Sequence, residues 1–256
     1  MLNGLDLFSG IGGLTLALSN YVRPVAYCEN DRYCQAVLHS RMFSNELPMA
    51  PIWNDVRTLK GTMLPEIDII TGGFPCQDIS VAGTGKCLDG ERSGLFFELL
   101  RLVSERLPRF VFLENVPAIT VRGLDRILLE FDALGYDARW TIVSAQELGA
   151  VHIRERWFML AYSNGIRLRQ ESRQEIRRDN TKRESSLEHN NVGKEGKSSW
   201  ASQGFIKPHV DRTGDGIPCR MDRARALGNA VVPIQAKEAF GRLMGSKARE
   251  VLKELG

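Results

Sequence analysis

The chain has 256 residues, 43% hydrophobic and 25% charged, an ordinary globular composition and room for one good-sized domain with a small appendage. A formal charge of +3 is too mild to argue for nucleic acid by itself. Five cysteines (Cys28, Cys34, Cys76, Cys87, Cys219) form no CxxC pair and have no histidines at zinc spacing, which argues against a disulfide framework or a structural metal and favours a reducing cytoplasm. No stretch approaches a membrane span. The opening MLNGLDLFSGIGGLTLALSN lacks a basic leading segment, carries Asp6 within its apolar run and is studded with Gly, so it reads as strand, turn and helix rather than a signal peptide.

In chain order, strands are expected at Leu2–Phe8, Val25–Glu29, Ile67–Thr71, Phe110–Glu114, Ala138–Val143 and Trp157–Ala161. Helices are expected at Leu14–Ser19, Arg32–Arg41, Leu95–Glu105 and Leu124–Leu134. The early strands are continuously apolar rather than alternating, as expected when helices cover both sheet faces. The fold class is therefore α/β, a doubly wound and mostly parallel sheet. After residue 162 the rhythm breaks. Residues 163–217 are polar, with eleven Lys or Arg against eight Asp or Glu, and hold the chain's whole excess of +3. They read as a loop-rich insertion. Apolar order returns over Ala224–Phe240, expected to be a strand or turn followed by a last helix.

The segment DLFSGIGG (Asp6–Gly13) closes the first strand and opens the first helix. Gly10 and Gly12 permit a sharp turn and close approach of a ligand at the carboxyl edge of the sheet, beside Phe8. Such a loop serves dinucleotides, nucleotides and adenosylmethionine alike, or is a mere tight turn. Glu29 ends the second strand, where an acid accepts both hydroxyls of a ribose. Asp55, after the third short apolar run, is placed for an adenine amino group. Each acid alone is equally a surface charge; the glycine loop and the two acids, three features in register along consecutive strand ends, make a stronger pattern.

TGGFPCQDIS (Thr71–Ser80) follows the next strand and brings Cys76 to the same edge. Pro75 restrains the backbone before it. A buried structural cysteine is the usual fate of a lone Cys, but this one sits in a Gly/Pro loop. Glu114, in ENV (Glu114–Val116), ends another strand. Partial burial there would raise its pKa and let it donate a proton near neutral pH; the alternatives are a helix cap or a salt bridge.

The ordered set DLFSGIGG, GGFPCQ, ERSGLFFELL, FLENV, HIRERWF and ALGNAVVP resembles the DNA (cytosine-5)-methyltransferase family of prokaryotic and phage type, over residues 1–162 and about 218–240. The resemblance implies a Rossmann-like class I methyltransferase using S-adenosyl-L-methionine, with no metal. It implies Cys76 as the nucleophile that adds to carbon-6 of a flipped-out cytosine, Glu114 on ring nitrogen 3 and the exocyclic amine, and Arg156 on the carbonyl oxygen. Arg154 would help place the thiolate and its loop. It also implies cofactor contacts from Phe8, Gly10, Gly12, Glu29, Asp55, Pro75, Asn229 and Val231. Residues Asp78–Arg92 correspond to a loop that closes over the flipped base. Gln77, Ser80, Lys86 and Arg92 are the candidate DNA contacts, set against an ordinary exposed loop.

The domain division that follows is 1–162 catalytic, 163–217 a short target-recognition region and 218–256 a return to the catalytic domain. The implied partner is double-stranded DNA, with a cognate restriction endonuclease as a further candidate, no membrane, and a cytoplasmic monomer as the simplest expectation. Two features depart from the family. The motif usually written QxRxR reads His152-Ile-Arg154-Glu-Arg156, which puts the contact of the usual glutamine in doubt. The recognition region is short and polar, so the recognition sequence is not readable. Competing readings are a tRNA cytosine-5 methyltransferase sharing these motifs and a non-catalytic DNA-binding relative. Retention of Cys76, Glu114, Arg154 and Arg156 argues against the latter.

Overall fold

The computed structural model describes residues 1–75, 94–163 and 220–254. Among these, seven strands form one sheet: β1 (Leu2–Leu7), β2 (Val22–Cys28), β3 (Ile52–Trp53), β4 (Ile69–Gly72), β5 (Phe110–Asn115), β6 (Tyr136–Ser144) and β7 (Glu155–Ser163). Their order is β3-β2-β1-β4-β5-β7-β6. β7 runs antiparallel to both β5 and β6, and the pairings from β3 through β5 are parallel. Between β1 and β4 the winding reverses, and the carboxyl ends of the strands there open a crevice. The helices are α1 (Gly13–Ala17), α2 (Arg32–Phe43), α3 (Gly94–Arg106), α4 (Ile119–Arg122), α5 (Leu124–Ala133), α6 (Arg220–Asn229) and α7 (Pro233–Glu254).

The central strands are apolar on both sides because both sides are covered. Val111 and Leu113 of β5, with Trp157 and Met159 of β7, pack beneath Phe96, Leu99 and Val103 of α3 and Ile127 and Phe131 of α5. The alternate residues Phe110, Phe112, Phe158 and Leu160 face Leu14 of α1 and Ala236, Ala239, Phe240 and Leu243 of α7. Phe112 meets Phe240 edge-on at 5.2 Å and stacks on Phe158 at 5.8 Å. Such aromatic pairs add about 0.5–1.5 kcal/mol each beyond the area they bury. A smaller cluster, Tyr27, Leu38, Met42 and Leu47, seats α2, whose first turn is capped by Asp31 accepting from the Cys34 amide at 3.0 Å.

The expected elements of residues 1–162 are present, with boundaries shifted by up to three residues. β2 begins earlier than expected because Pro24, which has no amide hydrogen to donate, lies where the β1–β2 register slips between Gly4 and Leu5. The strand or turn expected at the start of Ala224–Phe240 is a correction: α6 is helical through Asn229, three residues intervene, and Pro233 starts α7. A proline at a first helical position has a preset φ and no amide to waste. α7 packs on α1, β6 and β7, so the end of the chain does return to the sheet. Most of the 163–217 region lies outside the described residues. No helix among the described residues is long and apolar enough to cross a membrane.

Candidate active site

The sheet's carboxyl edge opens into a cavity of about 680 Å³, within the ordinary range for a small-molecule site. Phe8, Gly10, Glu29, Asp55, Pro75, Glu114, Arg156, Asn229 and Val231, nine of the sequence-derived candidates, line it together. Gly12 and Arg154 do not. Cys76, Gln77, Ser80, Lys86 and Arg92 lie outside the described residues.

At one end the glycine loop leaves β1 with left-handed φ angles at Phe8 (53°), Gly10 (53°) and Gly12 (85°). A Cβ added at Gly10 would meet no protein atom within 4 Å, so the cavity face of the loop is free for a ligand. Glu29, just past β2, accepts from the Gly10 amide through Oε2 (2.7 Å) and from the Asp31 amide through Oε1 (2.8 Å). Each carboxylate oxygen keeps a second lone pair, which suits a diol. Asp55 accepts from the Arg57 amide and Nε, both at 3.0 Å, through Oδ1, and these bonds hold its pKa below the ordinary carboxylate value. A carboxylate for a ribose, a second for an amino group, an open glycine loop and the apolar Phe8 and Val231 together fit an adenosyl ligand.

Beneath the loop lies a residue whose role the sequence does not announce. Asp6 is buried, and its two oxygens accept from Thr15 (2.6 Å) on α1 and Thr71 (2.7 Å) on β4. Burial raises its pKa to about 6, against the lowering effect of the two hydroxyls. The carboxyl thereby ties the glycine loop to the strand that leads towards Cys76.

At the other end Glu114 is nearly buried at the close of β5 and pairs with Arg156 Nε at 2.9 Å. Burial lifts its pKa to about 7, outweighing the lowering effects of Arg156 and Arg154. Gly73 is required here for space: a Cβ on it would stand 2.9 Å from Glu114 Oε2. Asn115 is also buried and donates to the Phe74 carbonyl at 3.1 Å, which fixes the Phe-Pro segment immediately before Cys76. Cys28 also lines the cavity, but burial, with Glu29, Asp55 and Asp6 nearby, pushes its thiol to about 12 and leaves it unreactive. Arg154 instead donates to the Gly228 and Ala230 carbonyls, and His152 is exposed. Among the described residues no cluster of His, Cys, Asp and Glu is arranged to hold a metal ion.

The cavity thus joins a subsite suited to an adenosyl group to a buried carboxyl–guanidinium pair. The chain belongs to the C-5 cytosine-specific DNA methylase family, whose model matches residues 2–218. It is 38% identical to the type II methyltransferase M.CviJI of Paramecium bursaria Chlorella virus IL3A, over 61% of this chain and 42% of that one. It is 31% identical to the type II methyltransferase M.HhaI of Haemophilus parahaemolyticus, over 64% of this chain and 50% of that one. Among solved structures, a DNA modification methyltransferase encoded within an E. coli prophage superposes with a TM-score of 0.55 and 29% identity, covering 66% of this chain and 49% of that one. The chain thus spans about half the length of the curated relatives it matches.

Proposed function

We propose that the protein transfers a methyl group from S-adenosyl-L-methionine to carbon-5 of a cytosine flipped out of double-stranded DNA. The observation that carries this reading is the single cavity that runs from Glu29 and Gly10 past Pro75 to Glu114 and Arg156. It joins a cofactor subsite to the buried Glu114–Arg156 pair, and the residue after Pro75 is Cys76.

Cytosine carbon-5 is a poor nucleophile. In the proposed reaction the Cys76 thiolate adds to carbon-6, and the displaced electron pair makes carbon-5 enamine-like. Glu114, with a pKa of about 7, is partly protonated near neutrality and donates to ring nitrogen 3, offsetting the negative charge that builds there. Arg156 orients Glu114 and reaches the base carbonyl oxygen. The cofactor, when bound, would supply an electrophilic methyl group on a sulfonium; carbon-5 takes that methyl as its bond to sulfur breaks, leaving S-adenosylhomocysteine. Carbon-5 then loses its proton to base, the carbon-6 to sulfur bond breaks, and the thiolate is restored. Glu29 takes the ribose hydroxyls, Asp55 the adenine amino group, and Phe8, Gly10, Gly12, Pro75, Asn229 and Val231 complete the cofactor walls.

Residues 1–162 and 218–256 form the catalytic domain in this reading, and 163–217 the target-recognition region; the packing of α7 on the sheet supports that division. Gln77, Ser80, Lys86 and Arg92 contact the DNA. The protein acts as a cytoplasmic monomer beside a restriction endonuclease of matching specificity, as the type II designation of its relatives supports. The test is incubation with tritiated S-adenosylmethionine and either genomic duplex DNA or tRNA, followed by digestion to nucleosides. Label in 5-methyldeoxycytidine is expected; label confined to RNA overturns the DNA assignment.

A further inference from the structure

Arg154 and Gln235 reach across the molecule in opposite directions. Arg154 stands just before β7, and its Nη2 donates to the carbonyls of Gly228 (3.0 Å) and Ala230 (2.8 Å). These carbonyls lie at the carboxyl end of α6, short of helical partners and at the negative end of the helix dipole, so a guanidinium is well matched to them. Gln235 lies in the first turn of α7 with none of its surface exposed. Its Nε2 donates to the Val143 carbonyl at 2.9 Å, near the end of β6, and to the carbonyl of Arg154 itself. Between the two anchors, Asn229, Ala230 and Val231 line the cavity, and the Val231 carbonyl oxygen would stand 2.9 Å from a Cβ at Gly13. Two residues beyond Arg154, Arg156 holds Glu114. One short circuit of contacts joins the glycine loop, the cofactor wall and the base pocket.

Stability alone does not require glutamine at this position. Gln235 Oε1 is buried without a hydrogen-bond partner among the described residues, a cost that an apolar side chain of similar volume would avoid. Its amide instead donates to a carbonyl on β6 and to another just before β7, two residues short of Arg156. Resting on the function proposed above, we propose that Gln235 is a positioning residue for methyl transfer, fixing the start of β7 so that Arg156 stays on Glu114 while residues 229–231 wall the cofactor.

The test compares Gln235→Leu in the wild-type and Arg156→Lys backgrounds. It reads kcat and KM on genomic duplex DNA, S-adenosylhomocysteine affinity by calorimetry, and melting temperature. In the wild-type background kcat falls about 10- to 100-fold, the scale of a small displacement of reacting groups. Affinity for S-adenosylhomocysteine weakens several-fold, KM for DNA changes little, and the melting temperature holds. In the Arg156→Lys background the further loss of kcat is under about twofold, because the residue acts through Arg156. An equal fractional loss in both backgrounds, or an undiminished kcat, overturns the proposal. Should Gln235→Leu melt early, Gln235→Met, whose flexible thioether fills irregular space, carries the same comparison. A wild-type protein that puts no label into DNA refutes the function proposed above instead, and calorimetry still judges the clamp: unchanged S-adenosylhomocysteine affinity in Gln235→Leu then overturns it.

Discussion

At the Glu29 end the cavity wall combines an open glycine loop with carboxylate and apolar side chains. Glu29 accepts from two backbone amides, and a Cβ at Gly10 would meet no protein atom within 4 Å. At the Glu114 end the wall is a buried carboxyl paired with a guanidinium, with Gly73 kept small to make room. The two ends therefore answer differently to mutation. A wall of this kind binds its ligand through shape and many modest contacts, and losing one side chain weakens binding. A buried ionisable pair acts on charge that develops during reaction, and losing it slows the chemical step.

Substitutions that separate the two ends can be ordered by expected size. Cys76→Ala should reduce methyl transfer to background while DNA binding stays measurable by gel shift; substantial turnover would remove the covalent step. Glu114→Gln should lower kcat by about 10²- to 10⁴-fold with S-adenosylhomocysteine affinity nearly unchanged, because the amide keeps the shape and loses the titratable proton. In the wild type kcat should decline as pH rises through about 7, where Glu114 loses its proton, and Glu114→Gln should flatten that limb; a persisting decline would assign it to another group. Glu29→Ala should weaken S-adenosylhomocysteine binding by about tenfold, the worth of one or two hydrogen bonds, and DNA binding far less. Equal effects on both would undo the contrast between the ends.

The smallest expected effect concerns Asp6. Its folded pKa of about 6 and that of Glu114 near 7 both lie above their ordinary values of 3.8 and 4.5. The folded state therefore holds these protons more tightly than the unfolded one. The stability they contribute is present in full below about pH 4 and is lost as pH rises through 6 and 7. Asp6→Asn should flatten part of that decline in melting temperature between pH 4 and 7; an unaltered slope would show that Asp6 does not titrate there.

What the sequence reveals of this site depends on how far apart the partners lie. The glycine loop, Glu29 and Glu114 are legible because each sits at the end of an apolar run, where an open sheet binds ligands. Asp6 looked like an interruption in such a run, since its partner Thr71 lies 65 residues away. Asn115 was read as part of ENV, but its hold on Phe74, 41 residues back, is a matter of register between neighbouring strands. Gln235 gave no signal, being 92 residues from Val143. The resemblance places Arg154 beside the thiolate; its bonds from Nη2 to carbonyls 74 and 76 residues further on are long-range contacts that no local pattern displays. α6 is not legible as a helix because RMDRARALGN carries too few apolar residues to display a helical stripe.

The activity proposed for this cavity is cytosine methylation of DNA. Its most direct test is to express the protein in a host free of cytosine-5 methylation and to bisulfite-sequence the host genome. The account expects cytosines protected from conversion in one recurring sequence context, with protection lost in Cys76→Ala, and that context would supply the recognition sequence. Complete conversion throughout, from cells in which the protein is folded and binds S-adenosylmethionine, would contradict it.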